Sequence, residues 1–323
     1  MAAAARLSLR ARPCSRPNPG VAALVVHQGR VVGRGWTQAG GRPHAEAVAL
    51  AGLAPEVLAE ATLYVTLEPC AHTSERGPAC ADLICAARPA RVVIGQRDPD
   101  PRTAGQGIAR LEAAGIAVSL LEDAASAASL AGFLTRQRYA RPWVTLKLAT
   151  SLDGCIALAD GTSRWITGEA SRAHVHARRA QHDAILVGGG TWRTDTPRLD
   201  VRLPGLEARS PQRVVLTRGA VPTEGVPAEG VTALCAPGAI AGLEGVQYLY
   251  VEGGAETAAA FLAEDLVDEL HLYTAPILIG DGRRALGAMG LATLAAAHGR
   301  WQIAERRQLG SDSFTAYLRS RRT

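Results

Sequence analysis

Pro43-His44-Ala-Glu-Ala-Val-Ala-Leu50, answered by Thr62-Leu-Tyr-Val-Thr-Leu-Glu-Pro-Cys70 and by Ala79-Cys80, is the stretch on which the fold turns. One imidazole and two thiolates can bind a zinc ion and leave a fourth position open for water, the arrangement a catalytic rather than a structural site requires. Glu46 lies two residues from His44, close enough to move protons at that water without being a ligand. The apolar positions after Pro43 predict a helix with His44 in its first turn. The run 62–68 predicts a strand ending at Cys70, and Ala79 to Ala87 a second helix carrying Cys80. Two helix N-termini would then face one cation, which their dipoles disfavour, so both thiolates are needed to neutralise it. His44, Cys70 and Cys80 are therefore the expected metal ligands and Glu46 the expected catalytic residue.

Working outward, Val21 to Val26 and Val31 to Trp36 read as a hairpin turning at His27 to Arg30. Arg91 to Gln96 reads as a strand, Asp98 to Arg102 as a turn, Gly107 to Ala114 as a helix and Ala117 to Leu121 as a strand. A helical stretch from Asp123 leads to a segment, Arg136 to Pro142, that reads as a linker. Strands alternating with helices imply an open mixed sheet covered on both faces. The second half alternates in the same way. Ala184 to Gly190 is a strand opening into glycines, and Tyr248 to Glu256 is a strand and a glycine pair before a helix from about Thr257. Backbone N–H groups at such helix starts can meet a phosphate, and two of them in one domain favour a dinucleotide.

The 323 residues suit two domains, 1–140 and 141–323, and 47% hydrophobic content supports a core in each. No apolar run approaches a membrane span, and no apolar segment follows the basic start as a secretory signal would require. Two of the six cysteines go to zinc. Cys14, Cys85, Cys155 and Cys235 suggest no disulfide framework, so a reducing cytoplasm is expected. The net charge of +5 comes from dispersed arginines, with one short basic block at Arg319 to Arg322. A small anionic substrate explains it without nucleic acid. The basic residues are 34 arginines and a single lysine, Lys147, and Asn18 is the only asparagine. A lone survivor in so biased a composition points to chemistry its substitutes cannot copy: a compact ammonium for Lys147, an amide that donates and accepts for Asn18.

His-x-Glu followed by Pro-Cys and a further Cys is the zinc deaminase signature. Pro17-Asn-Pro19, His44-Ala-Glu46, Thr66-Leu-Glu-Pro-Cys-Ala-His72, Asp98-Pro-Asp-Pro101, Lys147-Leu-Ala-Thr-Ser-Leu-Asp-Gly154, Trp165-Ile-Thr167, Val251-Glu-Gly-Gly254 and Val267-Asp-Glu-Leu270 stand in the order of the bifunctional deaminase/reductase family of riboflavin biosynthesis. The chain resembles that family over nearly its whole length. The resemblance implies an α/β protein: an N-terminal cytidine-deaminase-like αβα domain followed by a dihydrofolate-reductase-like α/β domain. It implies one Zn2+ per chain and NADPH. It also implies two steps on a small phosphorylated pyrimidine, with no nucleic-acid or membrane partner and a homodimer or higher homo-oligomer.

By the same resemblance Asn18 orients the pyrimidine, and His72 and Arg76 contact the base or phosphate. In the second half Lys147, Ser163, Arg179, Leu199, Arg202 and Glu252 match substrate contacts, Arg179 and Arg202 suiting a phosphate. Ala149, Trp165, Thr191, Asp195 and the stretch beginning Gly254-Ala255-Glu256-Thr257 match nucleotide contacts.

Several positions depart from the family pattern. Nine residues rather than eight separate Cys70 from Cys80, Thr37 stands where a substrate-contacting histidine is usual, and Thr196 replaces one of a pair of aspartates. Three rival readings follow: a reductase with a silenced deaminase, a zinc deaminase acting on another nucleotide or a tRNA base, and a non-enzymatic zinc module closed by His72.

Overall fold

The computed structural model describes residues 1–72, 76–219 and 230–321, and the chain divides into two compact units, Met1–Ala140 and Arg141–Thr323. In the first unit the elements run α1 (Ala2–Ser8), β1 (Ala22–His27), β2 (Arg30–Trp36), α2 (Ala45–Leu50), α3 (Pro55–Glu60), β3 (Thr62–Val65), α4 (Cys80–Ala87), β4 (Arg91–Ile94), α5 (Gln106–Ala113), β5 (Ala117–Leu120), α6 (Ala124–Ser129) and α7 (Ala131–Tyr139). Its five strands form one mixed sheet in the order β2-β1-β3-β4-β5, with the β1 pairings antiparallel and β3, β4 and β5 parallel. Alternate strand residues (Ala23, Val25, Leu63, Val65, Val92, Ile94) enter a core closed by Ala45, Ala49, Ile84, Leu111 and Phe133, as the period of two requires.

The expected hairpin, sheet and helices are present, with two corrections. The strand read over 62–68 ends at Val65, beyond which the run leaves the ladder for the bend that leads to Pro69 and Cys70. The segment 136–142, read as a linker, begins as the last turn of α7, anchored in the core by Phe133 and Leu134. The helix stops at Ala140, whose φ of 55° is left-handed.

The second unit runs β6 (Trp143–Thr150), β7 (Cys155–Ala157), α8 (Glu169–Arg179), β8 (Ala184–Gly188), α9 (Gly189–Asp195), β9 (Gln212–Leu216), β10 (Val231–Leu234), β11 (Tyr248–Val251), α10 (Ala255–Ala263), β12 (Glu269–Thr274), β13 (Arg283–Arg284), β14 (Trp301–Leu309) and β15 (Asp312–Arg319). Among the described residues, eight strands make a sheet in the order β10-β9-β8-β11-β6-β12-β15-β14, and β13 pairs with β7. The strands from β10 to β12 are parallel, and β15 and β14 close the edge antiparallel.

The central strands β6, β8, β9 and β11 split their residues between two cores. On β6, Val144, Leu146 and Leu148 enter the core that holds Phe261 of α10. Thr145, Lys147 and Ala149 take the opposite face, where Tyr250, Tyr273, Trp192 and Phe314 are buried. That alternation is what lets an apolar strand carry a lysine. The basic block at the end of the sequence is structured rather than free. Arg319 lies 2.7 Å from Asp265, and Arg321 is ion-paired with Asp268; Arg322 lies outside the described residues. No helix among the described residues is long and apolar enough to cross a membrane.

Candidate active sites

Helix α2 starts at His44, its N-cap, and puts Glu46 in its first turn. Strand β2 seats that helix closely: a Cβ on Gly35 would collide with the Ala45 carbonyl, and one on Gly33 with the Ala49 carbonyl. Helix α4 begins at Cys80, whose backbone N–H donates to Cys70 Sγ at 3.3 Å. His44 Nδ1 lies 3.2 Å from Cys80 Sγ and 3.7 Å from Cys70 Sγ, and the three donor atoms fall within 4.8 Å of one another.

A tetrahedral zinc with usual Zn–S and Zn–N bonds needs S···N separations of about 3.5 Å. The donor set and its spacing fit that ion. Cys70's thiol is drawn down to about 4, first by its hydrogen bond with Cys80 and further by His44 and the Cys80 N–H. Glu46 is 3% exposed, and burial pushes its carboxyl above the usual range. Among the described residues these three are the only such donor cluster. His72 does not fall among these donors; its Nδ1 lies 3.4 Å from Thr103 Oγ1. That argues against a closed structural zinc module.

The cluster opens on a cavity of about 550 Å³, within the range of small-molecule sites. Asn18, His72 and Arg76 line it, as expected from the sequence. Asn18 Nδ2 is 3.3 Å from His44 Nε2, and Arg76 donates to the Gly40 carbonyl at 3.3 Å. Of the long Cys70–Cys80 loop, residues 73–75 lie outside the described part. Thr37 also faces the cavity, but its hydroxyl already accepts the Val21 N–H at 3.0 Å.

Sequence reasoning missed Arg42, Asp98, Asp100, Arg102, Phe133 and Gln137, all of which line the cavity. The Asp98-Pro-Asp-Pro101 motif was a signal for two of them. Burial raises Asp98's carboxyl to about 6. Phe133 and Gln137 come from α7 and carried no local signal.

In the second unit Lys147 Nζ lies 3.9 Å from Glu252 Oε2. Glu252 accepts from Arg179 through both oxygens, at 2.6 and 2.9 Å, and Arg179 also donates to the Asp200 carbonyl at 3.0 Å. Burial alone would raise Glu252's carboxyl, but Arg179 and Lys147 outweigh it and hold it at about 2. Burial lowers Lys147's ammonium against the pull of Glu252.

Arg202 lies beyond, its Nε 3.7 Å from Asp200 and 3.4 Å from His176 Nε2. The arginine pair expected to hold a phosphate is thus unequal. Arg179 is bound to a buried carboxylate, while the Arg202 side chain is 54% exposed. Leu199 has a left-handed backbone (φ 56°), and its side chain sits in the core with Trp192 and Val187. Substrate contact by the Leu199 side chain is not what the packing offers.

The glycine-rich strand ends lie side by side, because β8 and β11 are neighbours. Helices α9 and α10 start there at Gly188 and Gly254, neither with a side-chain cap. Their first N–H groups are left for an anion. A Cβ on Gly188 would collide with Thr257 Oγ1, and a Cβ on Gly254 would stand 3.6 Å from Thr191 Oγ1. Thr191, Gly254, Ala255, Glu256 and Thr257 therefore share one edge, and Thr257's side chain is spent on packing. Ala149 lies near the C-terminal end of β6 and packs against the Tyr250–Tyr273 core, and Asp195 ends α9. Ser163 and Trp165 are on an exposed segment, where Arg172 stacks 4.7 Å over the Trp165 ring.

Residues 1–96 match the cytidine and deoxycytidylate deaminase zinc-binding region, and residues 142–229 and 239–314 match the RibD C-terminal domain. The riboflavin biosynthesis protein RibD of Escherichia coli K12 is 37% identical over 356 residues, spanning 97% of this chain and 96% of its own. That of Mycobacterium tuberculosis is 38% identical over 319 residues, spanning 94% and 92%. Among solved structures, Acinetobacter baumannii RibD (form 1) aligns with a TM-score of 0.88 at 32% identity over 99% of this chain and 97% of that one. The Thermotoga maritima diaminohydroxyphosphoribosylaminopyrimidine deaminase/5-amino-6-(5-phosphoribosylamino)uracil reductase aligns with a TM-score of 0.85 at 29% identity, over 98% and 97%.

Proposed function

The chain belongs to the RibD family of riboflavin biosynthesis, and from that premise we propose which of its residues carry the two reactions. It is a bifunctional enzyme that uses zinc and NADPH. It hydrolytically deaminates 2,5-diamino-6-ribosylamino-4(3H)-pyrimidinone 5′-phosphate, then reduces the ribosyl group of the product to a ribityl chain. The deamination belongs to residues 1–140 and the reduction to residues 141–323.

His44, Cys70 and Cys80 hold the zinc, which supplies the Lewis acidity that makes water a nucleophile near neutral pH. Glu46 takes the proton of the attacking water and passes it to a ring nitrogen, then takes the proton of the hydroxyl now on the carbon and delivers it to the departing ammonia. Its burial supports that role, since a raised carboxyl pKa suits a group that must both accept and donate near neutrality. Asn18 orients the pyrimidine, and His72 and Arg76 meet the ribosyl phosphate side.

NADPH supplies the hydride. Thr191, Asp195 and the α10 start from Gly254 to Thr257 hold the nucleotide, with Ala149 and Trp165 flanking it. Lys147 and Glu252 hold the sugar hydroxyls, and Ser163 and the Leu199 main chain complete the wall. The substrate phosphate falls to Arg202, because Arg179's fork is taken by Glu252; Arg179 acts by fixing that carboxylate.

The four cysteines not given to zinc, Cys14, Cys85, Cys155 and Cys235, stand as thiols, which supports a cytoplasmic location. Exposed apolar side chains of the second unit, such as Leu278 and Leu294, support association of copies into a homodimer or higher homo-oligomer.

The observation that carries the reading of the first site is the donor triad, two of whose members, His44 and Cys70, line one cavity together with the buried Glu46. It is tested by ammonia release from the diamino substrate, with and without NADPH, for wild type and Glu46→Gln. The variant is expected to lose ammonia release by at least about a hundredfold. Its NADPH oxidation on pre-deaminated substrate should stay at the wild-type rate. Ammonia release that survives the substitution removes Glu46 from the chemistry.

A further inference from the structure

Glu68 is 2% exposed, and both of its oxygens are in use. Oε2 accepts the backbone N–H groups of Asp98 at 3.3 Å and Gly105 at 3.1 Å, and Oε1 accepts that of Ile108 at 3.2 Å. One buried carboxylate thus collects three main-chain donors, from the start of the loop after β4 and from the N-cap and first turn of α5. The Glu68 N–H in turn donates to the Gln96 carbonyl at 2.9 Å. The start of α5 also lies hard against the next residue, for a Cβ on Gly107 would collide with the Pro69 carbonyl.

What the loop carries gives the arrangement its purpose. Asp98, Asp100 and Arg102 line the cavity that opens on the zinc donors. Thr103, fully buried, presents its hydroxyl 3.4 Å from Nδ1 of His72, which lines the same cavity. Cys70 does not depend on this carboxylate for its own position. Its sulfur is held by the Cys80 N–H, and its carbonyl accepts the Ala81 N–H at 3.1 Å.

We propose that Glu68 is a positioning residue for deamination: it fixes the 98–105 loop against the start of α5, and through Thr103 the ring of His72, as the wall that receives the substrate. A glutamine of the same size would turn an NH2 group toward one or two of these N–H donors and leave them unpaired in a buried place. The wall would shift while the zinc donors and Glu46 kept their geometry. The cost therefore falls on substrate binding rather than on the chemical step.

This inference rests on the assignment of deamination to this cavity, which the Glu46→Gln comparison settles separately. Zinc-loaded, full-length Glu68→Gln is expected to show a KM for ammonia release raised by about tenfold, with kcat within about threefold of wild type. Its zinc content and NADPH oxidation should be unchanged, and hydrogen exchange at the amides of Asp98, Gly105 and Ile108 faster. An unchanged KM, or a loss of zinc accompanied by a fall in kcat alone, overturns the proposal. Should Glu68→Gln fail to fold, seen as loss of NADPH oxidation as well, Gly107→Ala presses the start of α5, and the loop with it, off Pro69 with the carboxylate intact. It must give the same rise in KM, and a wild-type KM in that variant overturns the proposal equally.

Discussion

Glu252 shows how much a single side chain can owe to partners far away in sequence. Its carboxylate is buried between Arg179 and Lys147 and held at about 2, below the 4.5 of an ordinary glutamate. A pKa lowered by folding gives stability that is complete above the unfolded value and is lost as the pH falls toward the folded one. The second unit should therefore lose stability between pH 4.5 and about 2 on account of this group. Glu252→Gln should be less stable than wild type at neutral pH by about 3–5 kcal/mol, since two cations lose their shared partner. Thermal unfolding of both proteins across that range checks this: the gap should close as the pH falls, and a gap that stays constant contradicts it. At this scale the sequence was readable where chemistry restricts the choice of residue. His44, Cys70, Cys80 and Glu46 stand together because few side chains bind zinc or carry protons beside it. Arg179 was less readable. Arginines 179 and 202 look alike in a sequence, and only the approach of Glu252, just past the end of β11 and 73 residues away, commits one of them to an internal ion pair.

Among the elements, the contact of β2 with α2 decides the first site. Gly33 and Gly35 let the strand approach until a Cβ on either would meet helix backbone, which cannot swing aside as a side chain can. Gly35→Ala should push α2 away and carry His44 and Glu46 with it. Metal analysis should then find less than about half of the wild-type zinc, as expected when a ligand moves by a few tenths of an ångström. Ammonia release should fall in step, with NADPH oxidation retained. Full zinc and full deamination in that variant would mean that the helix is seated by something other than this strand. The strands and helices that surround the motifs were legible from periodicity and from Gly and Pro punctuation. The last turn of α7 was not: its charged and polar end before Pro142 resembles a connector, and the burial of Phe133 and Leu134 is tertiary information. Gln137 falls in the turn read as a connector and Phe133 in a stretch read as helix with no face assigned, so the cavity wall they supply went unread.

For the whole molecule, the ordered motifs made two chemistries readable, and the fold class they implied is the one the chain adopts. Which loops and helices complete each site was not readable, since that depends on residues brought together from across a unit. Among the described residues, the cavity at the zinc donors is lined by residues of the first unit, and every residue assigned to reduction lies in the second. Each stretch of chain therefore contains its own working parts. In genetic terms, damage to the two halves should be complementable. A cell carrying one allele with Glu46→Gln and another with Lys147→Met should grow without added riboflavin, although neither allele alone supports growth. The product released by one polypeptide would be taken up by the other. Failure of the pair to complement, with both proteins folded and present, would show that the intermediate does not pass between chains.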